Sequence, residues 1–283
     1  MTGRANTAAP DRRLGVLERP GCRIHYEVTG SGPPIVFLHG LGGNQLSWWQ
    51  QVAHFARDYT CVTVAARGFA PSSGISDGPD PRDFSGDLEA LVDHLQLENV
   101  ALVAQSMGGW GAVEYCLSHP GKVGALVLAA TTGTIDPAQI DGPENARLAP
   151  WLDASLQAAH ACAAQRAHVA CGARMAQQQP ALHLLYKHID DMNAGLDKNA
   201  LRERLRLMRV RAPTDLARVK CPVLFVSGDE DIVIPPFAAD AIARVVSGTR
   251  VAHIADAGHS AYFERAAKFN DLVAVFLRQA MQV

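Results

Sequence analysis

Hydrophobic positions along the chain follow two alternating rhythms. Short β-branched or wholly apolar runs at Arg23–Val28, Ile35–Leu38, Cys61–Ala65, Val100–Ala104, Ala125–Ala129, Val223–Ser227 and Arg250–Ile254 read as strands. Between them, Trp48–Arg57, Phe84–Leu95, Met107–His119, Phe237–Val246 and Ala261–Gln279 carry apolar residues at helical spacing. Strands that alternate with helices predict a largely parallel sheet with helical crossovers. Before residue 30 a Pro20-Gly21 turn leaves no room for a crossover helix, so the strands there are expected as antiparallel additions at an edge.

The rhythm breaks between Asp136 and Asp215. This stretch lacks a β-branched run of strand length, is rich in Ala, Gln, Leu and Arg, and is punctuated by Pro137, Pro143, Pro150, Pro180 and Pro213. It reads as several helices inserted between two strands. An insertion that leaves the carboxyl end of a strand lands over the crevice where open α/β sheets bind ligands, so a lid is expected. The domain reading is a core made of 1–135 and 216–283, with 136–215 as the lid. Arg202, Arg206 and Arg209 share one helical face and could draw in an anion. Arg204 and Arg211 on the other side make a solvated surface the simpler reading.

Composition narrows the class. Lys and Arg number 26 against 28 Asp and Glu, a net charge of −2, which argues against a protein that coats nucleic acid. Hydrophobic residues make up 48% of the chain, enough for a core, yet no run approaches the length that crosses a bilayer. Met1–Arg13 has no apolar stretch resembling a secretory signal, so the cytoplasm is the expected compartment. None of the six cysteines forms a C-x-x-C pair, and a disulfide scaffold is not expected. His160, Cys162, His168 and Cys171 include the right atoms for zinc. On one helix, however, residue 162 would point away from the other three, and incidental residues on an Ala-rich helix are the plainer reading.

Candidate chemistry gathers where strands end. Val100–Gln105 runs straight into Ser106-Met107-Gly108-Gly109, a strand–turn–helix junction that exposes a serine hydroxyl. Such a sharp turn needs small residues two before and two after the serine, and Ala104 and Gly108 meet that need. Ile35–Leu38 runs into His39-Gly40-Leu41-Gly42-Gly43, whose spacing fits neither a P-loop nor G-x-G-x-x-G. Its Leu41 N–H can pair with the Met107 N–H to hold an oxyanion. Gly228-Asp229-Glu230-Asp231 and Gly258-His259-Ser260 follow two later strands, which supplies an acid and an imidazole on the same rim. Of the other histidines, His39 opens the glycine loop and is expected to support it, His253 lies within a strand, and His119 precedes Pro120.

Taken in order, these motifs resemble those of the α/β-hydrolases that carry a lid, from about Ile24 to Phe276. The resemblance implies a mostly parallel eight-stranded sheet flanked by helices. It also implies Ser106 as nucleophile, Asp231 as acid from the last residue of G-x-x-D, and His259 as base. Asp229 and Glu230 remain candidates for the acid. Leu41 and Met107 are the oxyanion-hole amides, and Gly40, Gly42, Trp48 and Trp110 are candidates to touch substrate. Trp48 and Trp49 cannot both face a pocket, since adjacent helical residues point about 100° apart.

Two departures stand out. Ala104 replaces the usual first glycine of the serine turn, and Ala65-Ala66-Arg67-Gly68-Phe69-Ala70-Pro71-Ser72 replaces Asp-x-Arg-Gly-x-Gly-x-Ser, which puts that loop's conformation in question. The implied activity is hydrolysis of a small to medium, moderately hydrophobic ester or lactone through an acyl-enzyme, with no metal or organic cofactor and neither nucleic acid nor membrane as partner. The oligomeric state is left open. A carbon–carbon hydrolase of ring-cleavage diketones shares Ser-Met-Gly-Gly but carries Gly-Pro-Gly in its glycine loop, where this chain has Leu-Gly-Gly-Asn. A dehalogenase would need Asp in place of Ser106. A receptor that keeps the fold without turnover is the reading from another class.

Overall fold

The computed structural model describes residues 10–281. Most of the leader Met1–Arg13 therefore lies outside the described residues. Eight strands form one sheet: β1 (Arg12–Arg19), β2 (Cys22–Thr29), β3 (Pro34–Leu38), β4 (Thr60–Val64), β5 (Val100–Gln105), β6 (Val123–Ala129), β7 (Val223–Gly228) and β8 (Thr249–Ile254). Their spatial order is β1-β2-β4-β3-β5-β6-β7-β8. The β1–β2 and β2–β4 pairs are antiparallel and every later pair is parallel. The early segment thus forms an antiparallel edge, and it holds two strands where the hydrophobic pattern marks only one.

The central strands are buried on both faces, as a parallel sheet covered by helices requires. Residues alternate between two apolar layers. Val36, Leu102, Ala104, Leu126 and Leu128 face the layer under α2 (Phe84–His94), α3 (Gly108–Ser118) and α8 (Phe237–Val245). Ile35, Phe37, Ala101, Val103, Ala125 and Val127 face the layer under α1 (Trp49–Phe55) and α10 (Ala266–Met281). The helix expected over Ala261–Gln279 is broken at Arg265, which leaves a short α9 (Ala261–Glu264) before α10.

Between β6 and β7 the chain is helical, with α4 (Asn145–Ala164), α5 (Gly172–Gln178), α6 (Pro180–Asp191) and α7 (Lys198–Leu207). Pro180 opens α6, where its missing N–H costs nothing. Pro150 instead lies inside α4, so it does not divide two helices as its type suggests.

The two ends of the insertion are fastened together. Asp136 N–H donates to the Arg211 carbonyl at 2.9 Å, and Arg211 N–H donates to that of Thr134 at 3.0 Å. The Arg211 guanidinium then grips Glu114 of α3, which also accepts the Thr134 hydroxyl at 2.6 Å. Burial works against the Glu114 charge, but the Arg211 and Thr134 hydrogen bonds outweigh it and hold the carboxyl below its usual range. Arg211→Ala leaves that half-buried carboxylate without its cation. We expect a loss of about 1–3 kcal/mol, read as a lower urea midpoint at unchanged m-value.

Candidate active site

β5 ends at a residue whose backbone is forced out of the usual regions. Ser106 has φ +46°, rare for a non-glycine residue and costly unless its surroundings impose it. They do so here: Ser106 N–H donates to the Ala129 carbonyl at 3.0 Å, and its own carbonyl accepts Gly109 N–H at 2.9 Å. A Cβ at residue 108 would stand 2.4 Å from the Leu38 carbonyl oxygen, so the turn can pass β3 only as glycine. Ala104 lies fully buried between Leu38 and Leu128, where a methyl fits in place of the usual glycine hydrogen.

The loop leaving β3 presses against this turn. A Cβ on Gly40 would come within 1.9 Å of Gln105 Oε1 and 3.1 Å of Ser106 Cβ, so a larger residue there displaces the Gln105 side chain. His39 is buried, and burial lowers its pKa to about 4, so the ring is neutral at pH 7. Its Nδ1 is 2.8 Å from the Gly40 carbonyl and its Nε2 accepts Ala66 N–H at 2.9 Å, so the proton sits on Nδ1. His39 thereby ties the glycine loop to the loop after β4, the supporting role expected of it. Asn44 then caps a 3-10 turn and ends the loop. Among the described residues neither Leu41 N–H nor Met107 N–H has a protein acceptor.

Asp231 and His259 come from the ends of β7 and β8, which approach so closely that a Cβ on Gly228 would lie 2.2 Å from the Gly258 carbonyl oxygen. His259 Nε2 lies 2.9 Å from Ser106 Oγ, and its Nδ1 lies 2.8 Å from Asp231 Oδ2. Both partners of that second contact are buried, at 5% and 2% exposure, in surroundings that strengthen a hydrogen bond to a charged group. The other Asp231 oxygen accepts Val233 N–H at 2.7 Å and Ile234 N–H at 2.9 Å. Asp229 and Glu230 point elsewhere: Asp229 meets His253 at 3.1 Å, and Glu230 binds Arg174.

Several polar side chains without a local motif complete the surroundings. Gln105 Nε2 donates to the His259 carbonyl at 3.2 Å, below the serine turn. Asn193, just after α6, donates to the Gly43 carbonyl at 3.2 Å and accepts Ala70 N–H at 2.7 Å. Ser260 Oγ donates to the Tyr186 hydroxyl of α6 at 3.2 Å, and a Cβ on Gly42 would sit 3.1 Å from that hydroxyl. The unusual loop from Ala65 to Ser72 is well anchored. Arg67 pairs with Asp83 and Asp87, Gly68 adopts φ +81°, and Ser72 Oγ donates to the Ala65 carbonyl at 2.7 Å.

The tryptophans divide. Trp48 is fully buried between Phe37 and Tyr262, so it belongs to the core and is no pocket wall, while Trp49 is 44% exposed. Trp110 instead joins an apolar cluster with Phe69, Met107, Leu201 and Leu205, against which Leu41 packs, and its Nε1 donates to the Leu205 carbonyl at 2.9 Å. The zinc reading rested on one helix carrying His160 through Cys171. α4 ends at Ala164, and His168 turns to Asp190 at 3.5 Å, so the shared-face geometry does not hold. The supposed arginine face is broken up likewise. Arg202 binds Asn199, Arg206 binds Glu203, and Arg209 stacks over Trp110 at 4.9 Å.

Known proteins share this architecture. The chain is 30% identical over 288 residues to a 2-hydroxy-6-oxononadienedioate/2-hydroxy-6-oxononatrienedioate hydrolase of Paraburkholderia phymatum, spanning 96% of this chain and 97% of the relative. A thermophilic esterase from Thermogutta terrifontis superposes with a TM-score of 0.72 at 22% identity, covering 96% of this chain and 99% of that one. The enol-lactonase from Burkholderia xenovorans LB400 gives 0.70 at 23% identity, with 93% and 99% covered. At such identities these two structures show the shared fold. No helix among the described residues is long and apolar enough to cross a membrane. With the sequence model of the alpha/beta hydrolase family matching residues 35–272, the eight-stranded sheet and the serine turn at its centre identify the chain as a member of that family and as a hydrolase.

Proposed function

We propose that the protein is a serine hydrolase of small to medium, moderately hydrophobic carboxylic esters or lactones, acting through an acyl-enzyme. The observation that carries this reading is the unbroken chain of contacts from Ser106 Oγ to His259 Nε2, at 2.9 Å, and from His259 Nδ1 to Asp231, at 2.8 Å. In this mechanism the Nδ1–H donates to Asp231, which leaves Nε2 free to take the hydroxyl proton as Ser106 attacks the carbonyl. The negative charge that develops falls to the Leu41 and Met107 amides, both without another acceptor among the described residues. His259 returns the proton to the leaving alcohol, and a water molecule activated by the same imidazole then releases the acid.

Support for an apolar acyl group comes from the cluster around Met107. Phe69, Trp110, Leu201 and Leu205 pack there with Leu41 in a buried cluster, so the two oxyanion residues have apolar neighbours contributed partly by α7. The helical insertion, 136–215, acts as the lid in this reading. Tyr186 and Asn193 tie it to Ser260 and Gly43 beside the reacting groups.

A second reading, cleavage of carbon–carbon bonds in ring-cleavage diketones, is favoured by the full-length relative from Paraburkholderia phymatum. A panel of p-nitrophenyl esters, lactones and a vinylogous diketone separates the two. We expect ester or lactone turnover with a kcat/KM at least about tenfold above that for the diketone, a margin of about 1.4 kcal/mol, and on the p-nitrophenyl esters a burst of p-nitrophenol equal to the enzyme concentration. A preference in the opposite direction transfers the assignment to the second reading.

A further inference from the structure

The helix α9 begins two residues after His259 and ends on Glu264, a carboxyl group that the mechanism above leaves unused. Glu264 is 3% exposed, yet its flanking cations are engaged elsewhere. Arg174 pairs with Glu230 and Asp256, and Arg265 turns its guanidinium to the Glu264 backbone carbonyl. What holds the carboxyl group is backbone. Its two oxygens accept Gly258 N–H at 3.1 and 3.0 Å, and the Ser260 amide favours the charged carboxylate.

These two amides lie on either side of His259 in the chain, while Gln105 grips the His259 carbonyl at 3.2 Å. The backbone of the base is therefore held at the amide before it and at its own carbonyl. An uncharged acceptor could satisfy the same amides without the cost of burying an acid, so the acidity itself calls for a role. We propose that Glu264 is a positioning residue for His259, whose carboxyl group holds the backbone that carries the imidazole.

The inference rests on His259 being the general base. Burial pushes the Glu264 carboxyl up to about 8, opposed by the Gly258 and Ser260 amides and by Arg265, and reinforced by the Asp231 charge. Cys171, Arg174 and Tyr262 are the other ionisable groups close enough to feel it. Glu264 is thus mostly neutral at pH 7 and acquires its charge over the next two pH units.

Three measurements test the proposal. In ¹³C-histidine NMR, the His259 ring signal should show a second displacement near pH 8 that vanishes in Glu264→Gln, a variant that keeps an acceptor for Gly258 N–H. The kcat/KM profile of Glu264→Gln should likewise lose its inflection near pH 8. Glu264→Ala removes the clamp and should lower kcat about 10- to 100-fold with KM changed less than about threefold, rates being scaled to sites labelled by a fluorophosphonate. Persistence of the second displacement in Glu264→Gln, or a wild-type kcat in labelled Glu264→Ala, overturns the proposal. Because the NMR signal needs no substrate, it remains decisive even where Ser106→Ala shows that the serine is not the nucleophile.

Discussion

Replacement of Ser106 by Ala should lower kcat on any ester the protein turns over by about 10⁴- to 10⁶-fold, with little change in KM. The size of the effect follows from what is lost. Without the hydroxyl no acyl-enzyme can form, and the burst disappears together with the steady-state rate. What survives is the hydrolysis by water that the Leu41 and Met107 amides can still assist. The fold should be spared, because the strain at this position resides in the backbone. Ser106 keeps φ +46° through its bonds to Ala129 and Gly109, and Ala can hold the same backbone with a smaller side chain. Circular dichroism and the urea midpoint should match wild type within about 0.5 kcal/mol. Full esterase activity in the variant sinks the assignment of the nucleophile.

The parts of the architecture that were legible in the sequence are those that depend on local pattern. Val100–Gln105 and Val223–Gly228 are buried along their whole length and read as continuous apolar runs, so the residues that follow them could be placed on one rim. β1 was not legible as a separate strand. It is an edge strand, its Leu14 is 69% exposed, and few of its side chains reach the core, so its pattern is that of a polar leader. The break at Arg265 was hidden for a different reason. Ala261–Met281 contains neither proline nor glycine, so no residue type marks a break there.

The candidate site divides in the same way. Ser106, the glycine loop and His259 each stand at the end of a strand and could be named from position alone. Asp229, Glu230 and Asp231 are chemically alike, and only the path of the chain after Gly228 turns one of them toward the imidazole. The second layer was invisible to sequence reasoning. Gln105, Tyr186 and Asn193 act across 154, 74 and 150 residues of separation, through single hydrogen bonds that have no periodicity. The altered loop at Ala65–Ala70 also has its explanation there, since the Ala70 amide is held by Asn193 from the insertion.

The choice among the three acids yields the second large effect. Asp231→Asn should reduce kcat about 10⁴-fold, and the geometry explains why so small a change of shape is so damaging. Asp231 divides its oxygens: Oδ1 accepts the amides of Val233 and Ile234, and Oδ2 faces His259 Nδ1. In the asparagine variant the remaining oxygen is drawn to the two amides, because an NH₂ group there would leave three donors facing one another. The NH₂ must then point at Nδ1, which can accept it only without a proton. The imidazole is driven to the tautomer with hydrogen on Nε2, and that hydrogen points at Ser106 Oγ, where a proton acceptor is needed. Asp229→Asn and Glu230→Gln serve as controls. Their partners, His253 and Arg174, lie at the surface, so kcat should stay within about twofold of wild type and the cost be confined to about 1 kcal/mol of stability. A raised pH should not rescue Asp231→Asn, since the defect is the position of the proton on the ring. Activity lost in either control and kept in Asp231→Asn would move the role of the acid to that residue.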